Sequence, residues 1–243
     1  MTEPRTIDDI TLAEVRDWAT ELVDLVDKDR KLEGLPGSLL RNASIVGIHA
    51  HSFAIYRSIL VMVDGRERAG VGILARVLYE AWLTAVLLCD GTAADWDRLI
   101  ADLNHYKEKL AKGFGQTVDD PLPTLRESAP WKVFHRAERV DELRGDGEAV
   151  RLYRTVYAAE SLAGTHASLG AAAQYFDWST TTGKVEIDHN PVTDGFVRTR
   201  LVIASLFFAE LAAVVIETGG HDASDIREAR NRYHDIAESL TSD

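Results

Sequence analysis

Val71-Gly-Ile-Leu-Ala-Arg-Val-Leu-Tyr-Glu-Ala-Trp-Leu-Thr-Ala-Val-Leu-Leu-Cys89 is the stretch that decides the fold. Its only clearly polar side chains, Arg76, Glu80 and Thr84, recur every fourth residue and so stack on one narrow stripe of an α-helix. A surface helix shows water about half of its circumference, and this stripe is too thin for that. The pattern predicts a helix covered on most sides by other helices. A carboxylate in such a place is costly unless paired, so Glu80 needs a partner, either Arg76 one turn away or a group from a neighbouring helix.

The flanking sequence repeats the helical theme. Thr11-Leu-Ala-Glu14 is a capping box opening an amphipathic helix to about Lys31. A second helix, Ser38 to Asp64, is apolar almost all round at its centre, and the third runs from Glu67 to Cys89. Thr92-Ala-Ala-Asp95 opens a fourth that ends by Lys112, and the prolines between Gln116 and Pro130 make a loop. Helices are expected over Trp131 to Leu143, Glu148 to Leu169, Thr193 to Glu217 and Ser224 to about Leu240. The segment 177–191 has too few β-branched residues for a sheet and reads as a long loop or a short hairpin. With no repeat and no linker, the chain is expected to form one all-α bundle of seven or eight helices over residues 1–243, the second, third, sixth and seventh helices central.

Composition narrows the functional classes. The 243 residues carry 39 acids against 27 Lys and Arg, a net charge of −12, and one cysteine, Cys89. That balance repels phosphate backbones, and the most basic stretch, Arg126 to Arg154, interleaves acids throughout, so no extended nucleic-acid footprint is expected. A lone cysteine suits a reducing compartment, and the N-terminus lacks the pattern of a secretory signal. The apolar runs contain Arg76, Glu80 and Glu210, and the mean hydropathy is −0.13, so the sequence predicts a water-soluble cytoplasmic chain that does not engage a membrane.

Isolated polar residues on several apolar helices suggest an interior site. The candidate cluster comprises Arg76, Glu80, Tyr106, Tyr157, Ser161 and His166, with His105 and Lys107 as further binding groups. In it Arg76 would hold Glu80 ionised, Tyr157 and Ser161 would donate hydrogen bonds, and His166 would move a proton near neutral pH. The runs Ala75-Arg-Val-Leu-Tyr-Glu-Ala-Trp82, Asn104-His-Tyr-Lys107 and Tyr153-x3-Tyr157-x3-Ser161-x4-His166 resemble the bacterial domain-of-unknown-function family 5677 over roughly residues 57–175. The resemblance implies a helical fold with an Arg-x-x-x-Glu helix, a tyrosine-lysine helix and a Tyr, Ser and His helix. It supplies no reaction.

Three chemistries fit those residue types. A metal held by Glu80, His105, Glu160 and His166 is disfavoured by spacing, because no two of these residues form a Glu-x-x-His pair and Glu160 and His166 lie six residues apart, and no cofactor is expected. A nuclease of the HEPN type uses an arginine and a histidine four to six residues apart, the pair assembled across a dimer, and Arg98 with His105 or Arg227 with His234, each with six residues between, match at background frequency. A Ser161 nucleophile with His166 as base requires a kink at Gly164. The reading that emerges is an RNA- or nucleotide-handling enzyme in a defence or toxin role, acting on a small molecule or nucleotide and pairing as a homodimer. The alternative is a non-catalytic binding or scaffolding bundle whose polar cluster is structural.

Overall fold

The computed structural model of the chain describes residues 6–28, 32, 35, 37–65, 70–114, 131–158, 176–178, 185–187 and 193–239. Among these, eight α-helices follow in order: α1 (Leu12–Val26), α2 (Leu39–Asp64), α3 (Gly70–Cys89), α4 (Ala93–Gly113), α5 (Val133–Arg144), α6 (Glu148–Leu152), α7 (Asp194–Thr218) and α8 (Ser224–Ser239). A short hairpin of β1 (Phe176–Trp178) against β2 (Val185–Ile187), antiparallel with Asp177 opposite Glu186, occupies the segment expected to be a loop or hairpin. The protein is an all-α bundle.

Local chemistry places the helix ends. The Thr11 hydroxyl accepts from the Glu14 amide at 3.2 Å and the Glu14 carboxylate accepts from the Thr11 amide at 2.8 Å, closing the expected capping box. Thr92 and Asp95 do the same for α4, with the Asp95 carboxylate 2.8 Å from the Thr92 amide. Gly145, at φ +76°, stops α5 in a conformation that a side chain would strain. At the far end of α3, Arg41 from α2 donates to the Leu88 carbonyl at 2.7 Å and to the Cys89 carbonyl at 3.3 Å, satisfying acceptors that have no partner inside the helix.

Helix α7 is the axis. Every residue from Leu201 to Ile216 is buried, because α1, α2, α3 and α8 all pack against it. Phe207 stacks on Trp82 of α3 with ring centres 5.8 Å apart, and Phe208 stacks on Tyr56 of α2 at 4.3 Å. Each such aromatic contributes about 1.5–3 kcal/mol by leaving water. Helix α4 stands apart from this core, lying along α3.

The expected cytoplasmic placement is overturned. Helices α2, α3 and α7 are each long and apolar enough to cross a membrane, with mean hydropathies of 1.4, 1.7 and 2.1 over an 18-residue window. The chain-wide mean hides them because it averages these three with the polar helices α1, α4, α5 and α8. Nor do the internal charges disqualify α3 or α7, since the partners described below neutralise them.

Candidate functional site

Two features are candidates for function: the polar stripe of α3, and a groove that α4 makes with α2. The stripe meets Tyr157, which α6 delivers through a π-helical turn, Tyr153–Tyr157. A π turn holds an extra residue per turn and rotates everything after it, and here it swings Tyr157 back onto α3. Helix α6 begins without a capping side chain of its own. Instead Asp141 of α5 accepts from the Ala149 and Val150 amides at 2.8 and 2.9 Å, fixing the start of the helix.

At the meeting point the Arg76 Nη2 donates to the Tyr157 hydroxyl at 2.6 Å, and that hydroxyl donates to Glu80 Oε1 at 2.9 Å. The Arg76 Nε lies 3.5 Å from the same carboxylate oxygen, and the guanidinium sits 4.4 Å from the centre of the Tyr157 ring. Burial, with the Glu80 charge behind it, pushes the Tyr157 hydroxyl up to about 12, so it stays protonated and keeps donating. Arg76, Glu80 and Tyr157 therefore come together as expected, but not in a sealed interior. The Glu80 side chain is 38% exposed, which places the cluster on the rim of the bundle.

The other candidate residues separate from it. Tyr106 is 60% exposed on α4, so the expectation of a buried Tyr106 in the cluster is corrected. It lines the groove, and so does His105. Lys107 is half-buried on the same helix. Glu160, Ser161 and His166 lie outside the described residues, and with them the serine hydrolase and half of the metal set. Among the described residues no three His, Cys, Asp or Glu side chains gather to hold a metal. The arginines of both nuclease-like pairs are engaged within the chain: Arg98 stacks on Trp131 at 4.5 Å, and Arg227 donates to Glu217 at 2.7 Å.

The groove encloses about 680 Å³ between α2 and α4, with α3 contributing Thr84 and Leu88. Its α4 wall is Trp96, Leu99, Leu103 and Tyr106, and its α2 wall includes Gly47 and Ile48. The 96, 99, 103, 106 spacing was visible in the sequence as one helical face, yet only the folded chain shows that Trp96 and Leu99 meet the core while Leu103 and Tyr106 are exposed along the groove. Polar groups sit at the edge: His51, His105, Lys109, Asp102 and Arg136. Asp102 is bonded to the Arg136 guanidinium and accepts from the Trp131 amide at 3.1 Å, so its charge is already matched. The unmatched charge of the lining is the ammonium of Lys109, with the imidazoles of His51 and His105 beside it, in a chain of net charge −12.

A second polar centre escaped sequence reading. Glu210 of α7 is 2% exposed and holds Arg144 of α5 at 3.0 Å, Arg227 of α8 at 3.3 Å and, closer still, Arg230 of α8. Arg230 continues to Glu148 at 2.9 Å, and His234 reaches the other Glu148 oxygen at 3.2 Å. The signal was present as Arg227-x-x-Arg230-x-x-x-His234, one cationic face of the last helix. No protein-family model matches the chain, and no curated protein or solved structure is detectably similar to it.

Proposed function

We propose that this chain is a non-catalytic binding bundle whose α2/α4 groove takes an anionic amphiphile, a long-chain carboxylate being the simplest member of the class. The observation that carries the reading is the groove itself. It has the volume of a small-molecule site, apolar walls, and an edge whose unmatched charge is positive. An acyl chain would lie against Leu99 and Leu103, and the carboxylate would meet Lys109 and the histidines.

The binding reading is favoured over an RNA-handling enzyme by the groove, whereas the described part of the polar cluster ties elements together. Arg76, Tyr157 and Glu80 bond one another in the manner of a brace between α3 and α6. The residues that resemble family 5677 carry no reaction with them.

Gly47 supplies the test, since a Cβ there meets open space and a larger side chain would project into the groove without disturbing the core. Oleate, titrated below its micellar concentration and followed by tryptophan fluorescence, is expected to bind the wild type. Gly47→Trp should bind it at least about tenfold more weakly, a loss of about 1.4 kcal/mol. Dodecylamine, of similar length and opposite charge, should bind poorly. Equal binding of both amphiphiles, or undiminished binding by Gly47→Trp, would overturn the proposal.

A further inference from the structure

We infer that the outer lip of α4 docks on an anionic lipid bilayer, with Leu110 and Phe114 entering the interface and Lys107 and Lys109 seated among the headgroups. The inference does not require the groove to hold a ligand. Leu103, Tyr106, Leu110 and Phe114 recur at intervals of three or four and form one continuous apolar stripe along the second half of α4. All four are exposed, Phe114 by 77%, although they are the residues a bundle would ordinarily bury.

Charge identifies the partner. The chain carries seven lysines, and three of them, Lys107, Lys109 and Lys112, fall within six residues of this helix. At about 100° per residue, Lys107 and Lys109 lie on opposite sides of the stripe and Glu108 lies behind it. An apolar strip flanked by lysines, in a molecule of net charge −12, matches a surface that is greasy below and negative above. Lysine stems can lie along the apolar strip while their ammonium groups reach lipid phosphates. The same arrangement fits a protein partner poorly, because interface cores are depleted of lysine. A second copy of this chain would bring a second like-charged surface to the same place.

The experiment is sedimentation of the full chain with vesicles, one set of pure phosphatidylcholine and one an equimolar mixture with phosphatidylglycerol. Binding is expected to the mixed vesicles only and to fade as salt is raised. Neutralising both flanking lysines (Lys107→Gln with Lys109→Gln) should lower partitioning roughly thirtyfold, at about fivefold for each lysine. Leu110→Glu with Phe114→Glu should abolish it. Those two residues do not line the groove, so oleate binding by that variant is expected to be unchanged, which separates a failure of docking from a failure of the groove reading. Circular dichroism verifies that each variant is folded. Equal sedimentation with both vesicle types, or with neither, overturns the inference. So does a wild-type dimer that Leu110→Glu with Phe114→Glu converts to monomer while vesicle binding stays unchanged.

Discussion

Asp95 shows how one carboxylate can serve two purposes. It closes the capping box of α4 and, through both oxygens, holds Arg139 of α5 at 2.9 and 3.0 Å. Burial alone would push its carboxyl up, but the Arg139 bonds and the two from Thr92 outweigh it and hold the group below the usual carboxylate range. A depressed folded value means the stabilisation is complete above the ordinary pKa of about 3.9 and disappears as pH falls through the lower folded one. Asp95→Asn should therefore melt at a lower temperature than wild type at neutral pH, by about 1–3 kcal/mol of stability, and the two melting curves should converge below about pH 4. A gap that persists at acid pH would place the loss in packing instead. At this scale the sequence was informative wherever partners lie within one turn: Thr92 with Asp95, and Arg76 with Glu80. Tyr157 reaches the latter pair only through a π turn, and nothing in the order Tyr153-Arg-Thr-Val-Tyr157 announces an extra residue in that turn.

Helix α4 is the element whose attachment differs from the rest. Helices α2, α3 and α7 are joined by interlocked aromatic and aliphatic side chains, whereas α4, beyond the contacts of Trp96 and Leu99 with the core, is tied to α5 and to Trp131 just ahead of it by Asp95 with Arg139, Asp102 with Arg136, and Arg98 over the Trp131 ring. Polar ties at a surface hold less firmly than apolar interdigitation, so α4 should open locally while the core stays shut. Asp102→Asn, which weakens the tie nearest the groove, is expected to raise amide hydrogen exchange from Leu103 to Gly113 about tenfold and leave Leu201 to Ile216 unchanged. A uniform rise along both helices would show that α4 is part of the global folding unit. The capping boxes placed the starts of α1 and α4 and the apolar runs placed α2, α3 and α7 in advance, whereas the helix expected from Glu148 to Leu169 turns π-helical at Tyr153. The groove was not legible, because it depends on how far α4 stands from α2, and periodicity fixes which face a helix shows without fixing what it faces.

At the scale of the molecule, averaging is what misled. A mean hydropathy of −0.13 concealed three helices of membrane-span length and apolarity, and the charges taken as evidence against them are neutralised in the fold. Glu210 is the clearest case: it lies inside the most apolar helix, yet three arginines from α5 and α8 surround it, so one carboxylate binds three elements together. Such a network is weak evidence of stability against an apolar replacement, but removing its anion takes from Arg144 its carboxylate, while Arg227 keeps Glu217 and Arg230 keeps Glu148. Glu210→Ala should cost about 3–5 kcal/mol, and at about 2–4 °C per kcal/mol for a chain of this size the melting temperature should fall by roughly 10 °C. Because much of that loss is an orphaned guanidinium rather than a lost attraction, adding Arg144→Met should restore part of it, making the double variant more stable than the sum of the single effects. Strict additivity in that cycle would mean that Arg144 escapes to water when Glu210 is gone, and that the α5 end of the bundle is held by Arg144 over the Trp82 ring, 5.6 Å away, instead of by charge.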